Sequence, residues 1–151
     1  MANQVVDLSE LIDLLPEPVV VIDRDYTVTY INRAGRQLTG LRNASPESVR
    51  CYQVFHHGDE PCGGEDHPCP VPMVVQTRSP VTVEHTHCDA HGNEVVTEIL
   101  AGPVFDETGR VAQVVQAWRD VTARSRAARA GASQPEVVAA QQVSDGNGNG
   151  R

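Results

Sequence analysis

The sequence predicts an α+β domain built on one antiparallel sheet. Three observations carry this expectation. Two short β-rich runs near the start are joined by a tight turn. Three further β-rich runs, also joined by turn sequences, fill the second half. Between the two groups lies a helical and irregular crossover that holds most of the cysteines.

Taken in order, Asp7 to Leu15 reads as a short helix, with Leu8, Leu11, Ile12 and Leu15 at helical spacing and Pro16 as its stop. Val19 to Asp23 is an apolar run of strand length, Arg24-Asp25 is a turn, and Thr27 to Ile31 completes a hairpin. Asn32 to Leu41 has helical character, with Ala34, Leu38 and Leu41 on one side and Gly40 near its end. After the cysteine-rich stretch, Val71 to Thr77 is a short helix behind Pro70 and Pro72. Val81 to Cys88, Glu94 to Val104 and Val111 to Arg119 form a three-stranded meander with turns at 89–92 and 106–109. Thr122 to Ala130 is an Ala/Arg helix, and Ser133-Gln134-Pro135-Glu136 has the pattern of a capping box. The expected division is an N-terminal helix over 1–15, the domain over 16–122, a helical extension over 123–144 and a disordered tail over 145–151. Val19, Val21, Ile31, Ile99, Val114 and Trp118 are the expected core.

Bulk properties exclude several classes. A chain of 151 residues suggests one domain with tails. Only 4% of residues are aromatic against 40% hydrophobic, so the core is built from Val, Ile and Leu. A net charge of -8 argues against a nucleic acid or an anionic membrane as partner. All twelve cations are Arg, read as composition bias rather than chemistry. The first fifteen residues lack a basic start and carry Asp7, Glu10 and Asp13, unlike a secretory signal. No apolar run reaches membrane-spanning length. A cytoplasmic protein is expected, and four cysteines there point to metal or redox chemistry rather than to disulfides.

The chemistry concentrates between Cys51 and Pro70, which holds Cys51, Cys62 and Cys69 with His56, His57 and His67. Turn residues Gly58, Pro61, Gly63, Gly64, Pro68 and Pro70 leave this segment too few apolar residues to fold by burial. Thiolates and imidazoles that share an ion would pin it, and they suit zinc, copper or an iron–sulfur cluster. Ten residues separate Cys51 from Cys62, six separate Cys62 from Cys69, and eighteen separate Cys69 from Cys88, so no C-x-x-C knuckle is present. Proline after Cys69 resembles iron–sulfur loops. The plainer alternative is Cys51 as a small buried hydrophobe and the others as exposed thiols.

Strand parity adds candidates. Val81, Val83, His85 and His87 share one face of their strand, and Thr82, Glu84, Thr86 and Cys88 share the other. The valines mark the first face as inward, which brings His85 or His87 toward the crossover. The expected ligands are therefore Cys51, Cys62 and Cys69, with a fourth from His85, His87, His56 or Cys88. His67 reads as a hydrogen-bond donor to a thiolate, and His57 and His91 as surface residues. No protease signature flanks any cysteine, and Gly63-Gly64 has no Lys-Ser/Thr behind it, so an enzyme is not expected.

The stretches PEPVVVIDRDYTVTYINRAGRQLTG and NEVVTEILAGPVFDETGRVAQVVQAWRDVT resemble a PAS sensor domain. The opening hairpin with Asn32 leading its helix matches the family's start. Pro103, Asp106, Gly109 and Arg119-Asp120-Val121-Thr122 match its last hairpin and terminal signature. The resemblance covers about residues 10–122. The pattern CY…H…PC…HPCP followed by VEHTHCDAHGNE resembles a cysteine-rich subset of bacterial redox and signalling PAS domains. The chain lacks the Asn-Cys-Arg-Phe-Leu-type motif of flavin photosensors, and no kinase, cyclase or DNA-binding segment follows the domain.

The resemblance implies a stand-alone sensory protein. Its expected centre is an iron–sulfur cluster that reports redox or oxygen state to a protein partner, either a signalling protein or a redox enzyme. A homodimer is compatible with it. Two alternatives stand beside this: a PAS interaction module with a structural zinc site, and a small electron-transfer protein.

Overall fold

The computed structural model describes residues 7–41, 49–88, 91 and 93–132, without the side chains of His87 and Cys88. The capping-box segment after 132, the tail over 145–151 and most of the turn over 89–92 lie outside the described residues.

The element order is α1 (Leu8–Asp13), β1 (Val19–Asp23), β2 (Val28–Ile31), α2 (Arg33–Thr39), α3 (Cys51–His56), α4 (Pro70–Thr77), β3 (Val81–Cys88), β4 (Glu94–Phe105), β5 (Val111–Asp120) and α5 (Thr122–Ala132). All five strands pair antiparallel in one sheet of order β2-β1-β5-β4-β3. The α+β class, the hairpin and the meander agree with the sequence reading. The opening hairpin joins the meander by pairing β1 with β5, from Val19 opposite Ala117 to Asp23 opposite Gln113.

One face of the sheet is covered by the crossover. Val20, Ile22, Val28 and Ile31 pack with Ala101, Val111 and Val114, under Cys51 of α3 and Val71 and Val74 of α4. Val83, Ile99 and Trp118 continue this core beneath Phe55. Each fully buried aliphatic side chain contributes about 1.5–3 kcal/mol. Val19, Ile31, Ile99, Val114 and Trp118 are buried as expected, but Val21 is only half-buried. The core positions of β1 are Val20 and Ile22, since alternation places Val21 on the opposite face.

Asn32 fixes how the chain enters this sheet. It is fully buried, and its Oδ1 accepts from the N–H of Val19 and of Gly35, both at 2.9 Å. Its Nδ2 donates to the carbonyls of Ile12 at 3.1 Å and Glu17 at 3.0 Å. One amide thus caps α2 and ties it to β1 and to the segment around α1. Gly35 lets α2 approach closely, because a Cβ there would sit 2.6 Å from Ile31 Cγ1. Leu38, by contrast, is exposed.

Replacing Asn32 by Ala leaves buried N–H and C=O groups without partners. Chemical denaturation of Asn32→Ala is expected to show a loss of about 2–4 kcal/mol. A loss below about 0.5 kcal/mol would contradict this role for the amide.

Candidate metal centre

The crossover is built onto the sheet at two places. At the β2 end, Val28 N–H donates to Val49 O at 3.0 Å and Cys51 N–H donates to Tyr26 O at 2.9 Å. Arg50 adds an ion pair to Asp25 at 2.9 Å. These contacts start α3, a helix within the crossover. At the other end, the cysteine loop lies along β3: Thr86 N–H donates to Asp66 O at 3.1 Å. Beside it, the ring of His85 meets Pro68 O at 2.7 Å through Nε2. An edge strand has free N–H groups to offer, and here the loop takes one.

Within α3, Cys51 and Phe55 are four residues apart and share a face, so Cys51 is buried and Phe55 stacks on Trp118 with ring centres 4.3 Å apart. His56 follows beside them. Its ring lies 5.0 Å from that of His85 and 5.5 Å from that of His67, and His67 lies 5.4 Å from His85. Three imidazoles from α3, the loop and β3 thus meet over Trp118.

The donor atoms of His56, Cys62 and His85 all lie within 4.8 Å of one another. His85 is 1% exposed, and the other two are half-buried. A carbonyl only accepts, so His85 Nε2 carries the proton toward Pro68, and the neutral ring then keeps its lone pair on Nδ1. That is the outer support that metal-binding histidines use to fix ring and tautomer. The enclosed space at the centre, lined by Cys51, His56, Cys62, Cys69, His85 and Trp118 among others, is about 10 Å³. That central space admits nothing larger than one small ion or water molecule. On the outer side, His56, Cys62 and His67 also border a wide cleft of about 890 Å³, which gives the site an entrance.

The thiols differ sharply. Burial pushes the Cys51 thiol from 9.0 up to about 12, and the neighbouring Cys69 charge adds to this. The Cys62 thiol donates to the Cys69 sulfur, which pulls Cys69 from 9.0 down to about 7; burial opposes this, and the Val71 N–H reinforces it. For Cys62 that same hydrogen bond, then burial and the charges of Cys69 and Cys51, raise the thiol strongly.

The expected ligands fall into three sets. Cys62, His56 and His85 converge. Cys51 and Cys69 line the same cavity but are not in the converging trio. His87 and Cys88 are placed only by backbone, opposite Val95 and Glu94. The sequence put thiolates first, whereas the trio has two imidazoles and one thiolate. His57 and His91 are exposed. The sequence treated His67 only as a donor to a thiolate and Trp118 only as core. It carries no signal for the Pro68 carbonyl, because a backbone atom leaves no mark on residue type.

A family profile described as PAS fold matches residues 12–126. The chain belongs to the PAS-fold family. No curated protein sequence matches it. Among solved PAS-fold structures, it is similar to a PAS domain from Colwellia psychrerythraea, with TM-score 0.55 and 17% identity over 77% of this chain and 95% of that one. It is similar to a Rhodobacter sphaeroides LOV protein, with TM-score 0.57 and 12% identity over 82% and 70% of the two chains. It also resembles an RNA-binding Light-Oxygen-Voltage receptor, with TM-score 0.63 and 20% identity over 89% of this chain and 40% of that one. These likenesses establish the fold alone. PAS domains are characteristically non-catalytic sensory modules, in agreement with the expectation of no enzyme. Among the described residues, no helix is long and apolar enough to cross a membrane.

The thiol chemistry can be read directly. In reduced, metal-free protein near neutral pH, iodoacetamide is expected to label Cys69 well before Cys51, followed by mass spectrometry of the peptides. Equal rates at the two sites would contradict the described environment.

Proposed function

We propose that this PAS domain is a regulatory module holding one zinc-type ion between His56, Cys62 and His85, whose occupancy is passed to a protein partner. The observation that carries this reading is the convergence of the three donor atoms within 4.8 Å. Imidazole and thiolate together suit zinc, and two imidazoles beside a single thiolate fit one ion better than a cluster that takes four cysteines. The small central space favours the same choice. The fourth position is left to His67 or water.

A route to the partner runs through β3. Glu84 precedes His85 and pairs with Arg124 of α5 at 3.5 Å, and the same guanidinium meets Glu98 at 2.8 Å. Arg129 pairs with Glu94 at 2.8 Å. No residue of α5 is buried, so it is held to the sheet largely by exposed ion pairs, each worth less than about 1 kcal/mol. An element held this weakly responds to small changes in its neighbours.

An iron–sulfur cluster is the second reading. It is favoured by the three cysteines that line one cavity. Anaerobically purified full-length protein decides between the two. Stoichiometric zinc without visible absorbance supports the first, and acid-labile sulfide with a visible band supports the second.

Cys62→Ser and His85→Ala are each expected to weaken Zn²⁺ binding by at least about tenfold in a chelator competition. Undiminished binding in both variants would overturn the ligand assignment. Ligands must shed protons to bind, and the Cys62 thiol is held well above its ordinary value, so affinity is expected to rise with pH through neutrality and on above about pH 8. A flat pH profile would speak against imidazole and thiol ligands.

A further inference from the structure

We propose that Cys62 and Cys69 form a reversible disulfide that excludes the metal ion, so that the site reads oxidant and metal as mutually exclusive states. This rests on the trio of His56, Cys62 and His85 as the metal ligands. Cys62 belongs to two arrangements at once. Its sulfur is one of the three converging donors, and it also lines, together with Cys69, the enclosed space of about 10 Å³ at the centre. A sulfur bonded to another sulfur is no longer an anionic ligand, so one atom cannot serve both.

The local chain suits the bond. Six residues separate the two cysteines, and this short loop turns back so that both line one small cavity. Gly63 and Gly64 follow Cys62, and Gly64 sits at φ 83°, where backbone adjustment costs little for glycine. The sulfurs must close to about 2.05 Å across that small cavity, a local movement of the loop rather than a refolding. Both residues are half-exposed, and Cys62 borders the wide cleft. Cys51, the third thiol at the cavity, is buried in α3 and is the less accessible partner.

The step balances with a hydroperoxide as oxidant. The Cys69 sulfur attacks the peroxide oxygen, the O–O bond breaks, and the alkoxide or hydroxide that leaves takes up a proton. The Cys69 sulfenic acid is then attacked by the Cys62 sulfur; the S–O bond breaks, and hydroxide leaves as water with the Cys62 proton. Two thiols lose two electrons, and the peroxide gains them. The metal ion departs when its sulfur ligand is consumed. Linkage requires the converse, that bound metal disfavours the disulfide.

The test uses the full-length chain loaded with Zn²⁺ and treated with hydrogen peroxide. Zn²⁺ release is followed with a metallochromic dye, and disulfides are mapped by mass spectrometry without reduction. One Zn²⁺ is expected to leave for each Cys62–Cys69 bond formed, and reduction is expected to restore binding. Metal-free protein is expected to form the same bond faster. Cys69→Ser should keep Zn²⁺ binding and lose the reversible release. A reduced protein that binds no Zn²⁺ overturns the metal reading itself, while peptide mapping of that protein still shows whether the two cysteines pair. Bound Zn²⁺ that persists after the disulfide forms, or release through a bond from Cys51, overturns the exclusion alone.

Discussion

The hydrogen bond between His85 Nε2 and the Pro68 carbonyl, 2.7 Å long, is the constraint on which the site depends. It joins a buried strand residue to a loop that has almost no apolar surface of its own. The neighbouring bond from Thr86 N–H to Asp66 O keeps the loop in step with β3. Together they hold the Cys62–Cys69 loop beside α3, which the bonds of Val49 and Cys51 fix at the opposite edge of the sheet. Because Nε2 is committed to the carbonyl, the lone pair of the neutral ring must lie on the other nitrogen. A bond that secures the fold thus also decides which atom is available for coordination.

The interior beneath α3 is closely filled in this PAS domain. Phe55, Trp118 and His85 fill the space between α3 and the sheet, and Gln116 accepts from Trp118 Nε1 at 3.0 Å so that no indole donor is stranded. Only about 10 Å³ remains at the centre. Cys51 contributes to this packing as a small hydrophobe whose thiol is hard to ionise. The Cys62 thiol is raised as well, so the readily ionised sulfur at this cavity is that of half-exposed Cys69.

Much of the fold was legible because it rests on local rules. Alternation marked β3 and its inward His85, turn residues marked the hairpins, and Asn32 marked the start of α2. Errors came where two patterns are equally satisfied: four consecutive apolar residues from Val19 to Ile22 do not reveal which alternate pair faces the helices, and Val20 and Ile22 took the place given to Val21. The cysteine segment was legible as chemistry but not as geometry. Spacing shows which donors are available, yet the meeting of His56 with His85 depends on α3 and β3 both packing on Trp118. That contact spans the whole crossover, and no local pattern encodes it.

The same long-range arrangement links the site to the end of the domain. β3 is an edge strand, paired only with β4, so its free side depends on the cysteine loop. His85 faces the loop, while Glu84 is exposed on the other side and reaches Arg124. Arg124 is shared with Glu98, whose carboxyl is held below the usual range by that guanidinium. A change in how firmly the loop grips β3 therefore acts on one partner of a shared cation while leaving the other in place. Exposed pairs of this kind are individually weak, so the helix that carries Arg124 can shift without unfolding the sheet. The firmly packed part of the domain is the Asn32-anchored hairpin and the aliphatic core, and the loosely held part is the edge where the cysteine loop and α5 meet β3 and β4.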